Sequence, residues 1–323
     1  MKKRALLLFS EGLDSILAGK LLKAQGVEVF ALRFITPFFG WSWKGKEEAF
    51  DRYVREEFGF EGGLVRDLTP EYLKMLAAPA HGYGSGFNPC IDCKILMFKK
   101  AKELLPELEA SFLASGEVVG QRPMSQQRNT LRHIEKEAGV ADLLLRPLSA
   151  KRLAPTLPER EGLVDRERLL GLAGRGRKAQ LALAREFGLK RIPSPAGGCL
   201  LTDPALAPRI KRFFALKEGR VSPREAELLT FGRHLELPGG SWLMLGRTEA
   251  ENKRLSGLLE PGDIVLKLNR IPGPTGLMLS LASEEDLIEA ARLVKHYAPK
   301  ARPLEKAPVR VIRLPEEEEL VWV

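Results

Sequence analysis

Over the first two hundred residues, short unbroken apolar runs alternate with stretches whose apolar positions recur every three or four. The first run, Leu6-Leu7-Leu8-Phe9, ends in Ser10-Glu11-Gly12-Leu13-Asp14-Ser15, and a helical pattern follows at once through Leu22. This predicts a strand, a tight loop and a helix N-terminus. Val27 to Phe34 reads as a second strand. Lys44 to Phe58 reads as a helix with Phe50, Tyr53, Val54 and Phe58 on one stripe. Further strands are predicted at 63–65, 111–115 and 141–145, and further helices at 71–76, 90–105, 166–172 and 177–187. Such alternation predicts a mostly parallel sheet with helices on both faces.

At Ile192-Pro193-Ser194-Pro195-Ala196-Gly197-Gly198 the composition changes, which predicts a domain boundary at 196/197. Beyond it, helices are expected at 204–216, 223–229 and 284–297. Strands are expected at 234–237, 241–245, 263–268 and 275–281, the first two joined by a Pro238-Gly239-Gly240 hairpin turn. The second part, 197–323, thus reads as a small α+β domain. Glutamates 316–319 read as a solvated run before the apolar end Leu320 to Val323.

The chain has 323 residues, enough for two domains, with 44% hydrophobic and 29% charged residues. The start Met1-Lys2-Lys3-Arg4 before an apolar run imitates a secretory signal, but Glu11 and Asp14 interrupt it. No apolar stretch is long enough to span a bilayer, and a cytoplasmic location is expected. The net charge is +9, and residues 121–191 alone hold 16 basic against 8 acidic side chains. A local basic excess points to a polyanion such as nucleic acid, although a solvated surface has the same composition.

The first loop is a candidate anion site. The opening N–H groups of a helix have no intrahelical acceptor and face the loop before it. Ser10 and Ser15 could add hydroxyl donors, Gly12 lets the chain turn, and Asp14 could hold a divalent cation against phosphate oxygens. An ordinary capped helix would use the same residue types. Arg33, at the end of the second strand, is placed where parallel sheets bind their ligands. After the fourth strand, Ser115-Gly116-Glu117 with Gly120-Gln121 frees the backbone for a nucleotide, and Gly116 and Gln121 are its candidate contacts. Arg175, Arg177 and Lys178 at a helix start are candidate contacts for phosphates of RNA or ATP, although a solvated face would look the same.

Three cysteines cannot form a disulfide framework. Cys90 and Cys93 open a helix in Asn88-Pro89-Cys90-Ile91-Asp92-Cys93, and Cys199 follows Gly197-Gly198. Cys-x-x-Cys serves dithiol redox chemistry, zinc or iron–sulfur. His81 is near enough in sequence to be a fourth zinc ligand. Three thiolates also suit a [4Fe-4S] cluster with one iron open to a sulfur species.

The order Ser10-x-Gly12-x-Asp14-Ser15 resembles the pyrophosphate loop of the PP-loop ATPases, whose usual form is Ser-Gly-Gly-x-Asp-Ser; here Glu11 takes the second position. With Ser115-Gly116-Glu117, Gly120-Gln121, Asn88-Pro89-Cys90-x-x-Cys93 and Gly197-Gly198-Cys199, residues 1–200 resemble the tRNA 4-thiouridine synthetases and thiouridylases, in their iron–sulfur branch without a rhodanese domain. Residues 201–300 are similar to an RNA-binding part of NFACT-type proteins.

The resemblance implies an adenine nucleotide alpha hydrolase-like α/β domain using ATP, Mg2+ and a [4Fe-4S] cluster. The reaction implied is adenylation of a uridine carbonyl in tRNA and its replacement by sulfur. The donor would be sulfide or a cysteine desulfurase. Asp14, Cys90, Cys93 and Cys199 would be the catalytic set, with the three cysteines as cluster ligands. Persulfide chemistry on the same cysteines, adenylation of a small substrate, and non-catalytic RNA binding by a decayed loop are the alternatives.

Overall fold

The computed structural model describes residues 2–193, 198–315 and 317–323. The chain divides into two compact units, Met1–Arg220 and Val221–Val323. The boundary expected at 196/197 falls on residues outside those described.

The first unit is built on a parallel sheet. Its strands are β1 (Arg4–Leu8), β2 (Glu28–Ile35), β3 (Gly62–Asp67), β4 (Phe112–Ser115) and β5 (Leu144–Leu145), in the order β3-β2-β1-β4-β5. β1 is central, with Leu8 opposite Leu32 on one side and Ser115 on the other. Ala5, Leu6 and Leu7 are fully buried, as expected of a strand covered on both faces. The helices are α1 (Leu13–Lys23), α2 (Glu47–Phe58), α3 (Thr69–Ala77), α4 (Cys90–Glu103), α5 (Arg128–Ala138), α6 (Leu157–Arg160), α7 (Lys178–Glu186) and α8 (Ala207–Leu216). α2 buries Phe50, Val54 and Phe58 on one stripe and stops at Gly59 in the left-handed region. The expected mostly parallel α/β architecture is what the structure has.

Within the first unit, the predicted helix at 166–172 differs from expectation, and α5 and α6 have no predicted counterpart. The predicted helix at 166–172 is a single 3-10 turn, Arg166–Arg168, followed by extended chain. Leu170 and Leu172 donate backbone hydrogen bonds to Pro147 and Leu148, and Gly174 donates to Val119. Gly171 and Gly174 weaken a helix, and the carbonyls beside the sheet supply alternative acceptors. α5 does carry a helical rhythm, with Leu131, Ile134 and Ala138 buried on one stripe, but its polar majority and the polar stretch 121–127 before it mask that rhythm.

The second unit is a six-stranded antiparallel sheet. Its strands are β6 (Arg233–Glu236), β7 (Trp242–Leu245), β8 (Ile264–Leu268), β9 (Gly276–Ser280), β10 (Pro308–Arg313) and β11 (Glu317–Trp322), in the order β11-β10-β8-β9-β7-β6. Its helices are α9 (Pro223–Leu228), α10 (Glu249–Ser256) and α11 (Glu284–His296). Neighbouring residues serve opposite faces. Leu243, Leu245 and Leu266 pack with α11 residues Leu287, Ala290 and Val294. Met244 and Val265 pack with Leu228 and Leu255. The glutamate run expected to be solvated forms part of β11. There Glu318 accepts a bidentate pair from Arg310 at 2.6 and 2.7 Å across the hairpin; Glu316 lies outside the described residues. Among those residues no helix is long and apolar enough to cross a membrane.

The crossing of α1 over the sheet supplies a test. A Cβ on Gly19 would overlap the Phe60 ring and stand 2.9 Å from Leu7. Alanine gains up to ~1 kcal/mol of helix propensity, while overpacking costs ~1–3 kcal/mol. Gly19→Ala is therefore expected to destabilise the first unit by about 1 kcal/mol, read as a lower urea midpoint.

Candidate functional site

The loop between β1 and α1 forms at the carboxyl end of the central strand. Ile16 is the first residue of α1 whose N–H reaches a backbone acceptor, Gly12, at 3.2 Å. The N–H groups of Leu13, Asp14 and Ser15 precede it at the helix's positive end. Ser15 Oγ donates to the Gly12 carbonyl at 2.8 Å, and Ser10 Oγ stands 3.3 Å from both Ser15 Oγ and Gly12 N. The two serines close the loop onto itself.

Glu11 has φ 61°, in the left-handed region that glycine favours. Its carboxylate accepts from Trp43 Nε1 at 2.9 Å and lies 3.4 Å from Arg33 Nη2. The loop thus keeps a glycine-type backbone and carries a tethered side chain. Arg33, expected to face a nucleotide, is engaged with Glu11 and with the Phe9 carbonyl at 3.4 Å. Burial lowers the pKa of its guanidinium, and the Glu11 charge opposes that shift.

Asp14 is the focus of the loop. Its Oδ2 accepts from Gln121 Nε2 at 2.9 Å. Its Oδ1 is buried and has no hydrogen-bond partner among the described residues. A buried carboxylate oxygen without a partner is costly, and a divalent cation or a bound water would satisfy it. Gly116 lies against this turn so closely that a Cβ would overlap the backbone of Asp14 and Ser15. Ser10, Gly12, Asp14, Ser15, Gly116 and Gln121 therefore lie together. Gly120, at φ 75°, packs beside Gly174, whose N–H bonds Val119. This brings the exposed Arg175 and Lys178 and the half-buried Arg177 near the same loop.

The cysteines are the second cluster. Cys90 and Cys93 lie in the first turn of α4, where Cys93 N–H bonds the Pro89 carbonyl at 2.8 Å. Asn88 Nδ2 donates to Cys90 Sγ at 3.0 Å. Gly198 is in the left-handed region, and Cys199 opens a short turn, Leu200–Thr202. That turn is docked from two sides. Leu200 N–H bonds the Phe38 carbonyl at 2.9 Å, and Phe87 N–H bonds the Leu201 carbonyl at 3.2 Å. Gly197 lies outside the described residues.

The three thiols act on one another. Burial pushes the Cys93 thiol well up, and the Cys199 and Cys90 charges push it further. Burial raises Cys199 to about 11, against the Leu201 N–H and with Cys90 adding to the rise. The buried Tyr72 hydroxyl bonds Cys93 and feels all three thiols. A single zinc ion needs its thiolates within about 2.3 Å of one point. Among the described residues no three His, Cys, Asp or Glu side chains form such a group. His81, a possible fourth ligand by sequence, is engaged by Asp92 and His133 instead.

One buried carboxylate joins the two clusters. Glu117, next to Gly116, is paired with Lys94, which follows Cys93 in α4. It also accepts from Arg146 Nε at 2.9 Å and Ser115 Oγ at 3.2 Å. Lys94 further donates to the Ser125 carbonyl at 3.2 Å, and Arg146 pairs with Glu135 of α5. Burial alone would raise the Glu117 carboxyl, but Lys94 and Arg146 outweigh it and hold it at about 2. Arg146, 1% exposed, has no distinguishing sequence motif. A charged residue directly after the apolar pair Leu144-Leu145, at a strand's carboxyl end, was the available signal.

A family model described as the NFACT protein RNA binding domain matches residues 232–321. Among solved structures, the chain is similar to a predicted subunit of tRNA methyltransferase from Methanocaldococcus jannaschii. The two are 20% identical, over 57% of this chain and 74% of that one, with a TM-score of 0.36. It is also similar to the C-terminal part of the fibronectin/fibrinogen-binding protein from Streptococcus suis. There the identity is 12%, over 79% of this chain and 92% of that one, with a TM-score of 0.27. Both scores are too low to carry a functional assignment. No curated protein matches the chain.

Replacing Glu117 by glutamine removes the carboxylate paired with the half-buried Lys94 and one of the two paired with the buried Arg146, which keeps Glu135. Such losses cost ~3–5 kcal/mol, so Glu117→Gln is expected to lower the urea midpoint of the first unit strongly at pH 7. Because the folded carboxyl titrates below the unfolded value of about 4.3, its contribution is complete above that pH. It is lost as pH falls toward about 2, so the gap between wild type and variant should narrow across that window.

Proposed function

We propose that this chain is an ATP-dependent tRNA sulfurtransferase. The observation that carries the reading is Asp14: one carboxylate oxygen held by Gln121, the other buried and unpartnered, at the opening of α1. A helix start with free N–H groups binds phosphate, and an unpartnered carboxylate beside it suits Mg2+. The RNA-binding match at 232–321 and the basic residues Arg175, Arg177 and Lys178 support an RNA substrate.

In this reading the N–H groups of Leu13 to Ser15 and the Ser10 hydroxyl hold the ATP phosphates. Asp14 would hold Mg2+, which neutralises phosphate charge. Gly116 lets the second loop approach without a side chain, and Gln121 keeps Asp14 oriented. The uridine carbonyl oxygen attacks the α-phosphorus and pyrophosphate leaves. Sulfide then forms a C–S bond at the same carbon, the C–O bond breaks, and AMP departs with the oxygen. The arrangement lowers the barrier by fixing the reacting groups and by fixed charge.

Cys90, Cys93 and Cys199 would suit a [4Fe-4S] cluster by donor chemistry: they are soft thiols, each half-buried and none in a disulfide, and near enough that Cys90 and Cys199 raise the Cys93 thiol. A cluster bound there would supply an open iron for the sulfur donor. Tyr72 and Asn88, through their contacts with Cys93 and Cys90, would orient the thiolates.

The test is an anaerobic reaction of the reconstituted full chain with unmodified tRNA, ATP and sulfide. AMP release and a thiolated uridine by nucleoside mass spectrometry are expected together, and both should fall at least ~100-fold in Asp14→Ala. Cys199→Ala should lose the thiolated nucleoside. AMP release that does not depend on tRNA, or absence of ATP binding, would overturn the reading.

The Glu11 tether makes a separate prediction. Arg33→Ala leaves the Glu11 carboxylate, still held by Trp43, without its counter-charge beside the phosphates and should weaken ATP binding about tenfold, through like-charge repulsion. Glu11→Gly in the same chain should restore most of that loss, and isothermal titration across the double-mutant cycle measures it.

A further inference from the structure

Beside the thiols stands a second group of ligating side chains that the proposed reaction does not use. His81 lies in the loop after α3, and His133 lies on α5. Their Nε2 atoms are 2.8 Å apart, with the rings edge to face at 75°. His81 Nδ1 is 3.0 Å from Asp92 Oδ1. The Asp92 carboxylate, 8% exposed, also accepts the N–H groups of Ala80 and His81, each at 3.1 Å.

The tautomer follows from these contacts. An ionised carboxylate only accepts, so neutral His81 carries its proton on Nδ1. Its Nε2 is therefore a bare lone pair aimed at His133. In the metal-free chain, the His133 Nε2–H fills it. A carboxylate that fixes one histidine nitrogen and thereby presents the other is the usual support of a metal-bound histidine.

We propose that His81 and His133 together bind one divalent transition-metal ion of the zinc class, supported by Asp92. Imidazole nitrogens select zinc, nickel or copper over the oxygen-seeking calcium and magnesium. Bonds of about 2.0–2.1 Å require the two Nε2 atoms to part by a few tenths of an ångström. His133 is exposed, and a small side-chain rotation supplies that. Its proton moves to Nδ1 as Nε2 turns from donor to ligand. No further His, Cys, Asp or Glu among the described residues completes a three-ligand set. Water therefore fills the remaining positions and keeps the ion open to exchange. Since Asp92 lies between Cys90 and Cys93, the ion is coupled to the turn that carries two thiols, yet its ligands are distinct from them.

The site is tested by anaerobic calorimetric titration of the full chain with Zn2+, in wild type, His133→Ala, His81→Ala and Cys199→Ala. One binding event is expected to weaken by roughly 10- to 100-fold or more in both histidine variants and to persist in Cys199→Ala. Co2+ bound in that event should show weak imidazole-type absorption, without the intense sulfur charge-transfer band. His133 is exposed on α5, and unchanged urea unfolding of its variant separates loss of a ligand from loss of fold. Identical isotherms in wild type and His133→Ala, or loss of the event in Cys199→Ala, would overturn the proposal. The thiolation assay reads the proposed reaction separately, so the two can fail independently.

Discussion

The buried charge on Glu117 is the constraint around which the first unit is arranged. A carboxylate out of water is tolerated only when opposite charges and donors surround it. Lys94, Arg146 and Ser115 do so, and they come from α4, from the end of β5 and from β4. Meeting that requirement holds α4 to the carboxyl end of the sheet. The Cys90–Cys93 turn and the Asp14 loop are therefore referred to one rigid point. Sites assembled from separate loops are imprecise unless something locks them, and this network is the lock.

Glu11 shows how a loop absorbs a residue that its geometry disfavours. The backbone there needs a left-handed residue, and a side chain other than glycine costs of order 1 kcal/mol or more. On the proposed function, the acid also adds a charge where the ATP phosphates would bind. Both problems are met locally: Trp43 and Arg33 take the carboxylate. Arg33 is thereby committed to the loop's own integrity. The same logic operates at Asp92, whose three N–H partners leave its histidine with a single tautomer.

The second unit relies on different physics. Its antiparallel sheet is covered on both faces, so Met244 and Leu243 are both buried although they point opposite ways. The edge strand β11 is rich in acids, and its ladder is held by Arg310 and Glu318. Charged edges of this kind resist unwanted strand pairing. A sheet covered on both faces by helices and edged by charge fits a module that meets its partner through polar contacts.

Linear pattern was enough for the parallel sheet, the position of the first loop and the grouping of Ser10, Asp14, Gly116 and Gln121. Local periodicity and turn chemistry report on neighbours within a few residues, and strand ends of a parallel sheet are forced to one edge. Pattern misled at 166–172, where a leucine-rich stretch with glycines found backbone acceptors beside the sheet. It left out β10, although Val309 and Val311 alternate with Arg310 there, and so missed the pairing that puts the glutamates of β11 in a strand; Glu318 and Glu319 are exposed, as expected of a solvated run. Folding alone decided that Cys199 docks by Phe38 and Phe87, that Arg146 is buried against Glu117, and that His81 meets His133. Each of those contacts joins residues far apart in the chain, and their geometry comes from packing that no local rule encodes.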